Sequence, residues 1–272
     1  SNFDWLKHTV KGFTKKHLVA YAESHDEERM MYKNLQYGAS SGTYNVKDLK
    51  TSLEKLNTVY FNIKLNSGIY YTKEGNISLK GIKGVSQNKT FIEFNTNESD
   101  KHLFHIGKVG GTVAERTYES NTLESVALVL SSSKRTISNT LLIVGASHKS
   151  IIRDVKFVMN APYTSITASE LSQLALNELL IAIAFDGSSE LTILENIFTL
   201  SDIGIKFSTN TDFVNIRNYT TKKEKNGFAS VYFADTTISN VLFSGNQSWS
   251  QGLYGLYSEN GTGYNNFVNM KV

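Results

Sequence analysis

Four short stretches that share one pattern decide the fold of this chain, and all of them lie between residue 191 and the C-terminus. Each reads apolar, any residue, Asn, apolar: Leu194-Glu195-Asn196-Ile197, Ile216-Arg217-Asn218-Tyr219, Ile238-Ser239-Asn240-Val241 and Phe267-Val268-Asn269-Met270. Upstream, Ile152-Arg153-Asp154-Val155 fits the pattern with Asp in place of Asn. The steps are 42 (196 − 154), 22, 22 and 29 residues. Such steps are typical of a solenoid, whose repeats bury their apolar faces against one another. We expect the 42-residue step to span about two repeats.

Within each stretch the apolar residues alternate with other residues, which indicates strands rather than helices. A second set of strands follows the same rhythm: Ile183–Phe185, Ile205–Phe207, Val231–Phe233 and Leu256–Tyr257. Asn tolerates the left-handed backbone of a sharp corner, and stacked Asn amides can bond one another. The sequence therefore predicts a mainly β fold, a parallel β-helix, whose inner wall carries Leu194, Ile216 and Ile238 one above another.

The first strands carry more specific signals: Gly68-Ile69-Tyr70, then Ile77-Ser78-Leu79-Lys80-Gly81, then Lys89-Thr90-Phe91-Ile92. With them, the region from about Val59 onward resembles the right-handed parallel β-helix proteins of the pectate-lyase-like group, which includes many phage tailspikes. The resemblance implies a single-stranded right-handed parallel β-helix over residues 59–272. It also implies a location outside the cell or on a bacterial or phage surface, a polysaccharide partner and a homotrimer. It leaves lyases, hydrolases, esterases and plain binders open.

Composition excludes several classes of function. The 28 basic and 25 acidic residues give a net charge of +3, which is too balanced to indicate a nucleic-acid partner. The absence of Cys excludes disulfides and Cys-zinc sites. No apolar run is long enough to span a membrane, and neither a metal cluster nor a cofactor motif is found. Without a signal peptide or an initiator Met, the chain is expected to be an internal piece of a longer protein.

The first 58 residues differ from the rest and are predicted as a separate segment. A short strand, Leu18–Ala22, precedes a helix over Glu28–Leu35, and Ser24 and Glu27 are spaced as a capping box. A second helix, Val46–Leu56, has an apolar stripe suited to capping the end of a solenoid. A third helix is predicted at Ser169–Leu180 because β-branched residues are absent there.

The stretch Tyr21-Ala22-Glu23-Ser24-His25-Asp26-Glu27-Glu28-Arg29 closely resembles the last conserved motif of the α-amylase family of glycoside hydrolases. The resemblance implies that His25 contacts a sugar and that Asp26 orients the substrate. In that family the nucleophilic Asp and the acid Glu lie upstream of this motif, where this chain has no residues. A glycosidase needs two carboxylates across the scissile bond, so we expect His25 and Asp26 to be inactive here.

Outward positions on the predicted strands supply two further candidate sites. The charged candidates are Asp154, Asp186, Glu195, Arg217 and Asp235. Glu195 and Arg217 share one place on adjacent repeats, about 5 Å apart. They form either a carboxylate–cation pair for an acidic sugar or, as we favour, an ordinary ion pair. The aromatic candidates are Tyr232, Trp249, Tyr254 and Tyr257, whose rings either stack on sugars or cover an interface between subunits.

Three hypotheses about function follow. The first is a β-helix module that binds a surface or extracellular polysaccharide, with processing by a lyase or a glycoside hydrolase mechanism as a less favoured extension. The second is a structural stalk or adhesin segment without catalysis. The third is an inactive fragment of an α-amylase-like hydrolase.

Overall fold

The computed structural model describes residues 43–44, 50, 62–132, 139–160, 179–222, 227–234, 238–250, 253–259 and 266–267. The chain divides into two compact units, Ser1–Gly38 and Ala39–Val272, and every described residue belongs to the second. This part of the chain is mainly β, with parallel strands in a curled sheet and a 3-10 turn at Val113–Glu115. The strands are β1 (Thr43–Tyr44), β2 (Ile63–Lys64), β3 (Gly68–Thr72), β4 (Ile77–Ser78), β5 (Gly81–Lys83), β6 (Thr90–Asn95), β7 (Lys101–Ile106), β8 (Asn121–Glu124), β9 (Ala127–Ser131), β10 (Asn139–Val144), β11 (His148–Asn160), β12 (Ile181–Leu200), β13 (Ile203–Lys222), β14 (Ala229–Phe233), β15 (Val241–Ser244), β16 (Ser248–Ser250), β17 (Tyr254–Ser258) and β18 (Asn266–Phe267).

Among these described strands, parallel pairing forms three ladders, in which each strand lies beside a strand of the next repeat. Ladder A runs through β2, β5, β8, β11, β12, β13, β15 and β18. Ladder B runs through β1, β3, β6, β9, β11, β12, β13 and β16. Ladder C runs through β4, β7, β10, β12, β13, β14 and β17. The long strands β11, β12 and β13 belong to more than one ladder because their extended backbone continues through the corners.

The interior of ladder C is a stack of phenylalanine rings. Phe185, Phe207 and Phe233 occupy one register position on successive strands, and all three are buried. The ring centroids of the first pair are 4.7 Å apart and those of the second pair 5.0 Å, with interplanar angles of 19° and 9°. The predicted second set of strands is therefore confirmed in position and in register.

The corner between ladders A and B carries the predicted column of side-chain amides. Asp154, Asn196 and Asn218 have left-handed backbones, with φ of 55°, 53° and 54°. Asn196 Nδ2 donates to Asp154 Oδ1 at 2.8 Å, and Asn218 Nδ2 donates to Asn196 Oδ1 at 2.9 Å. One repeat further on, Gly245 supplies the corner with φ 69°, and the backbone N–H of Asn246 donates to Asn218 Oδ1 at 2.9 Å. The column satisfies amide and backbone groups from one repeat to the next.

The prediction that Ile238 lies above Ile216 is wrong. Leu194 pairs with Ile216 as expected, but Ile216 pairs with Phe243, a step of 27 residues (243 − 216). The Asn240 carbonyl instead accepts the N–H of Val214, which places Asn240 at the earlier corner, between ladders C and A. Both kinds of corner fit the pattern apolar-x-Asn-apolar, because each has an inward residue on either side of a left-handed one.

The prediction that the 42-residue step spans two repeats is also wrong, because Arg153 pairs directly with Glu195 in ladder A. One repeat therefore contains extra residues. Several predictions fall on residues outside the described ranges: the strand Leu18–Ala22, the helix Glu28–Leu35 and most of the helix Ser169–Leu180. The same holds for the cap helix Val46–Leu56, apart from Lys50, whose backbone is helical.

Candidate functional site: an aromatic cluster on the outer face of ladder C

The outer face of ladder A carries a column of alternating charges. Lys83 Nζ lies 3.1 Å from Glu124 Oε2, and Glu124 is followed along the ladder by Arg153 and Glu195. Arg153 Nε donates to Glu195 Oε2 at 2.7 Å, while Arg217 Nη1 lies 3.8 Å from Glu195 Oε1. Glu195 and Arg217 thus stand on adjacent strands in the predicted register. Because both Glu195 oxygens face guanidinium groups, the arrangement favours our interpretation as a structural ion pair.

The outer face of ladder C carries an aromatic cluster, made of Phe228, Tyr232, Tyr254 and Tyr257. Tyr232 and Tyr257 are register neighbours on β14 and β17, and their ring centroids are 5.3 Å apart. Tyr254 lies 5.0 Å from Tyr257 and 5.5 Å from Phe228, which contacts Tyr257 edge-on at 5.0 Å. These centroid separations are those of favourable aromatic pairs, so the four rings stabilise one another's positions.

Tyr232 differs from its prediction as an exposed groove residue, because it is only 2% exposed. Strand alternation does direct its ring away from buried Phe233, but that side of the strand is covered as well. Tyr232 belongs to a buried cluster with Leu179, Ile203 and Ala229. Tyr254, by contrast, is 42% exposed and Tyr257 is half-buried. The accessible rings of the cluster are therefore Tyr254 and Tyr257.

Trp249 lies apart from this cluster, which corrects its prediction as a neighbour of the outer tyrosines. Its ring packs edge-on against Phe243 at 5.3 Å and Tyr219 at 6.4 Å, and both of those residues are buried. Its indole N–H donates to Gln247 Oε1 at 3.3 Å. Trp249 therefore belongs to the interior between ladders A and B, and its position gives it a packing role.

Charged side chains border the aromatic cluster. The Lys206 ammonium lies 5.3 Å from the centre of the Tyr232 ring, which is a cation–π contact. Burial lowers the pKa of Lys206, while the carboxylates of Glu259 and Asp186 oppose that shift. Burial raises the pKa of Tyr232, and hydrogen bonding to Glu259 raises it further. The site thus offers a partly desolvated amine, two carboxylates and a phenol that stays protonated at neutral pH.

Sequence reasoning missed three members of this site: Phe228, Lys206 and Glu259. Lys206 had a usable signal, since it alternates with Ile205 and Phe207 and occupies the same strand position as Tyr232. Phe228 precedes its strand, and no pattern in the sequence indicates that its ring folds back over the outer face. Asp186, predicted to point outward, is half-buried near Lys206.

The other predicted site residues do not join the cluster. Asp154 is a corner residue that accepts from Asn196. Asp235, His25 and Asp26 lie outside the described residues.

A second charged cluster, which the sequence did not indicate, lies where residues 107–118 fold over the corner before β11. Glu190 accepts from Arg116 Nη1 through Oε2 at 2.5 Å and faces His148 Nδ1 through Oε1, also at 2.5 Å. Arg116 Nε additionally donates to the Ser188 carbonyl at 2.7 Å, and the exposed Tyr118 ring lies 5.6 Å from His148. The bonds from Arg116 hold this excursion against β12.

A histidine pair lies at the other end of the outer face of ladder C. His102 Nε2 and His105 Nδ1 are 3.0 Å apart. Burial, followed by the nearby charges of His105 and Lys50, lowers the pKa of His102 to about 4. His102 is therefore neutral at physiological pH.

Within the described ranges, no helix is long and apolar enough to cross a membrane, and no group of three or more His, Asp or Glu side chains is placed to hold a metal ion. Comparison of the chain with protein-family models, with curated proteins and with solved structures finds no match.

Proposed function

We propose that residues 59–272 form a right-handed parallel β-helix that binds a polysaccharide outside the cell or on a bacterial or phage surface. Three parallel ladders, with corners repeated at one register position, support the β-helix. The curled parallel sheet of the described residues is compatible with this fold. The proposal assigns no reaction to the chain, since the paired charges of ladder A leave no couple of free carboxylates.

The observation that carries the binding proposal is the Tyr254–Tyr257 pair. The two rings lie 5.0 Å apart, tilted by 40°, and both are partly accessible. An accessible aromatic ring offers a flat apolar face for the C–H surface of a sugar. Lys206 and Glu259 border the same cluster and supply a donor and an acceptor for hydroxyl groups. We call Tyr254 and Tyr257 together the tyrosine platform.

The charges beside the tyrosine platform favour a neutral saccharide. Two carboxylates, Asp186 and Glu259, act on the single ammonium of Lys206, so this local group has excess negative charge. A uronic or sulfated sugar placed there would face that charge, whereas neutral hydroxyl groups can bond both kinds of group. Binding of the favoured glycan should accordingly change little with ionic strength.

A glycan array with the whole chain tests the proposal, followed by calorimetric titration of the best neutral glycan. We expect Tyr254→Ala to weaken binding at least about ten-fold, in line with the loss of one well-packed aromatic contact. Tyr118→Ala is the matched control, because Tyr118 is 74% exposed and lies in the other charged cluster. Absence of binding to any glycan, or equal weakening by the two variants, would contradict the proposed function.

A structural stalk is the second candidate, and the charge column on ladder A favours it. Complementary charges continue along that face from Lys83 to Arg217, so the repeats are tied together without a ligand. In a stalk built as a trimer, the tyrosine platform would lie between subunits. Light scattering that gives a trimer, combined with loss of Tyr254 and Tyr257 labelling in that trimer, would favour the stalk over the glycan binder.

A further inference from the structure

Buried hydroxyl side chains gather at the corner where the chain passes from ladder C to ladder A. Three successive layers contribute to this group: Thr117 in the first, Ser147 and Ser150 in the second, and Ser189 and Thr192 in the third. The last four of these residues are fully buried. Thr117 bridges to Ser147, and Ser150 pairs with Thr192, so the hydroxyls lie on adjacent strands.

In the second layer the hydroxyls bond the protein directly. Ser147 Oγ lies 3.3 Å from Ser150 Oγ and donates to the Gly145 carbonyl at 3.2 Å. Ser189 and Thr192 occupy the equivalent places in the third layer, because 189 − 147 and 192 − 150 both equal 42, the register step between β11 and β12. The backbone N–H of Glu190 donates to the Ser147 carbonyl at 3.0 Å and fixes this alignment.

In the third layer the direct bonds are missing. Ser189 Oγ and Thr192 Oγ1 are buried without a hydrogen-bond partner from the described protein atoms, and so is Thr117 Oγ1 in the first layer. Both Ser189 and Thr192 are 0% exposed, so bulk solvent does not reach them. A buried hydroxyl without a partner loses the hydrogen bonds it makes to water in the unfolded chain, and folded proteins almost always provide a replacement.

We propose that this corner is a binding site for internal water, with Ser189 Oγ and Thr192 Oγ1 as ligands of one bridging molecule. Water suits the site because a buried water molecule needs two to four polar partners, and hydroxyl groups both donate and accept. A metal cation suits it less, since the five hydroxyl residues of the group include no carboxylate. The bridge would replace, in the third layer, the direct bond that Ser147 and Ser150 make in the second.

The sign of one substitution tests the proposal. Thr192→Val keeps the shape of the side chain and removes the hydroxyl. If water bridges the two residues, the variant breaks a satisfied bond, and we expect the folding equilibrium constant to fall about five-fold or more. If the hydroxyl has no partner, its removal relieves a penalty and the constant rises, which overturns the proposal. Thr199→Val is the control, because Thr199 Oγ1 bonds Tyr219 OH directly at 3.2 Å, so its removal should lower the constant in either case.

Two further measurements keep the test sharp. With a shared water, Ser189→Ala and Thr192→Val act on the same molecule, so the double variant should lose less than the sum of the single losses. Additive losses would overturn the bridge. A crystal structure at high resolution should show an ordered water within about 3.2 Å of both oxygens. A direct bond between the two side chains, with no water, would overturn the proposal as well.

Discussion

Replacing Asn218 by Ala tests the corner column on which the whole register depends. Asn218 has φ 54°, donates to Asn196 Oδ1 at 2.9 Å and accepts from the Asn246 N–H at 2.9 Å. A left-handed backbone costs an ordinary L-residue about 1–2 kcal/mol, a cost that Asn partly avoids. Each hydrogen bond contributes about 0.5–1.5 kcal/mol, with values at the low end because this corner is exposed. We therefore expect Asn218→Ala to lower the free energy of unfolding by about 2–3 kcal/mol.

Asn218→Gly separates the two contributions, because Gly removes the same hydrogen bonds but adopts the left-handed backbone freely. Its expected loss is about 1–2 kcal/mol, smaller than that of the Ala variant. Asn215→Ala is the matched control: Asn215 is an exposed residue on the same strand and lacks a left-handed backbone. Its expected effect is below about 0.5 kcal/mol. Urea unfolding followed by circular dichroism gives all three values. The reasoning fails if Gly is as damaging as Ala, or if Asn218→Ala costs no more than Asn215→Ala.

Three further substitutions test other parts of the fold. Phe207→Ala should lower the free energy of unfolding by about 4–5 kcal/mol, because it removes a buried ring stacked on both sides; urea unfolding measures this. Phe213→Asn should raise it by about 0.5–1 kcal/mol, seen as a higher melting temperature, because Phe213 is 53% exposed and has φ 52°. His102 has a pKa of about 4 in the folded chain and 6.5 as its ordinary value, so the unfolded chain binds more protons between these pH values. Stability should therefore fall as pH drops from about 6.5 to 4, and His102→Gln should flatten that fall.

Each of these three has a contrary outcome. A loss below about 2 kcal/mol for Phe207→Ala would mean that the rings are not closely packed. A lower melting temperature for Phe213→Asn would mean that the exposed ring makes a stabilising contact or that the corner is not left-handed. An unchanged pH profile in His102→Gln would assign the acid sensitivity to other groups.

The sequence predicted the strands of ladder C well because two independent signals agree there. Strand alternation fixed which residues face inward, and the repeated Phe at the end of each strand fixed the register. Phe185, Phe207 and Phe233 consequently occupy the predicted neighbouring positions. The amide corner was predictable for a related reason: few residues tolerate a left-handed backbone, so Asn196 and Asn218 mark the place where the chain turns.

The same signal failed at Asn240 because the fold has more than one left-handed corner. Lys149, Leu191, Phe213 and Asn240 form the column between ladders C and A, with φ between 52° and 62°. Leu191 and Phe213 give no warning of a corner, since bulky residues seldom adopt this conformation. Without them the sequence shows one kind of corner, and Asn240 is then assigned to the wrong one. A 22-residue spacing that happened to match strengthened the error.

The candidate site shows a different limit. Alternation tells which side of a strand a residue occupies, but burial depends on what covers that side. Tyr232 and Tyr257 are register neighbours on the same outer face, yet Tyr232 is buried and Tyr257 is partly accessible. The difference comes from Leu179 and Phe228, which lie outside any repeated position and pack over Tyr232. Residues that cover a repeat are not themselves repeated, so a search for periodicity finds the wall of such a fold and misses the contacts that decide which part of the wall is open to a ligand.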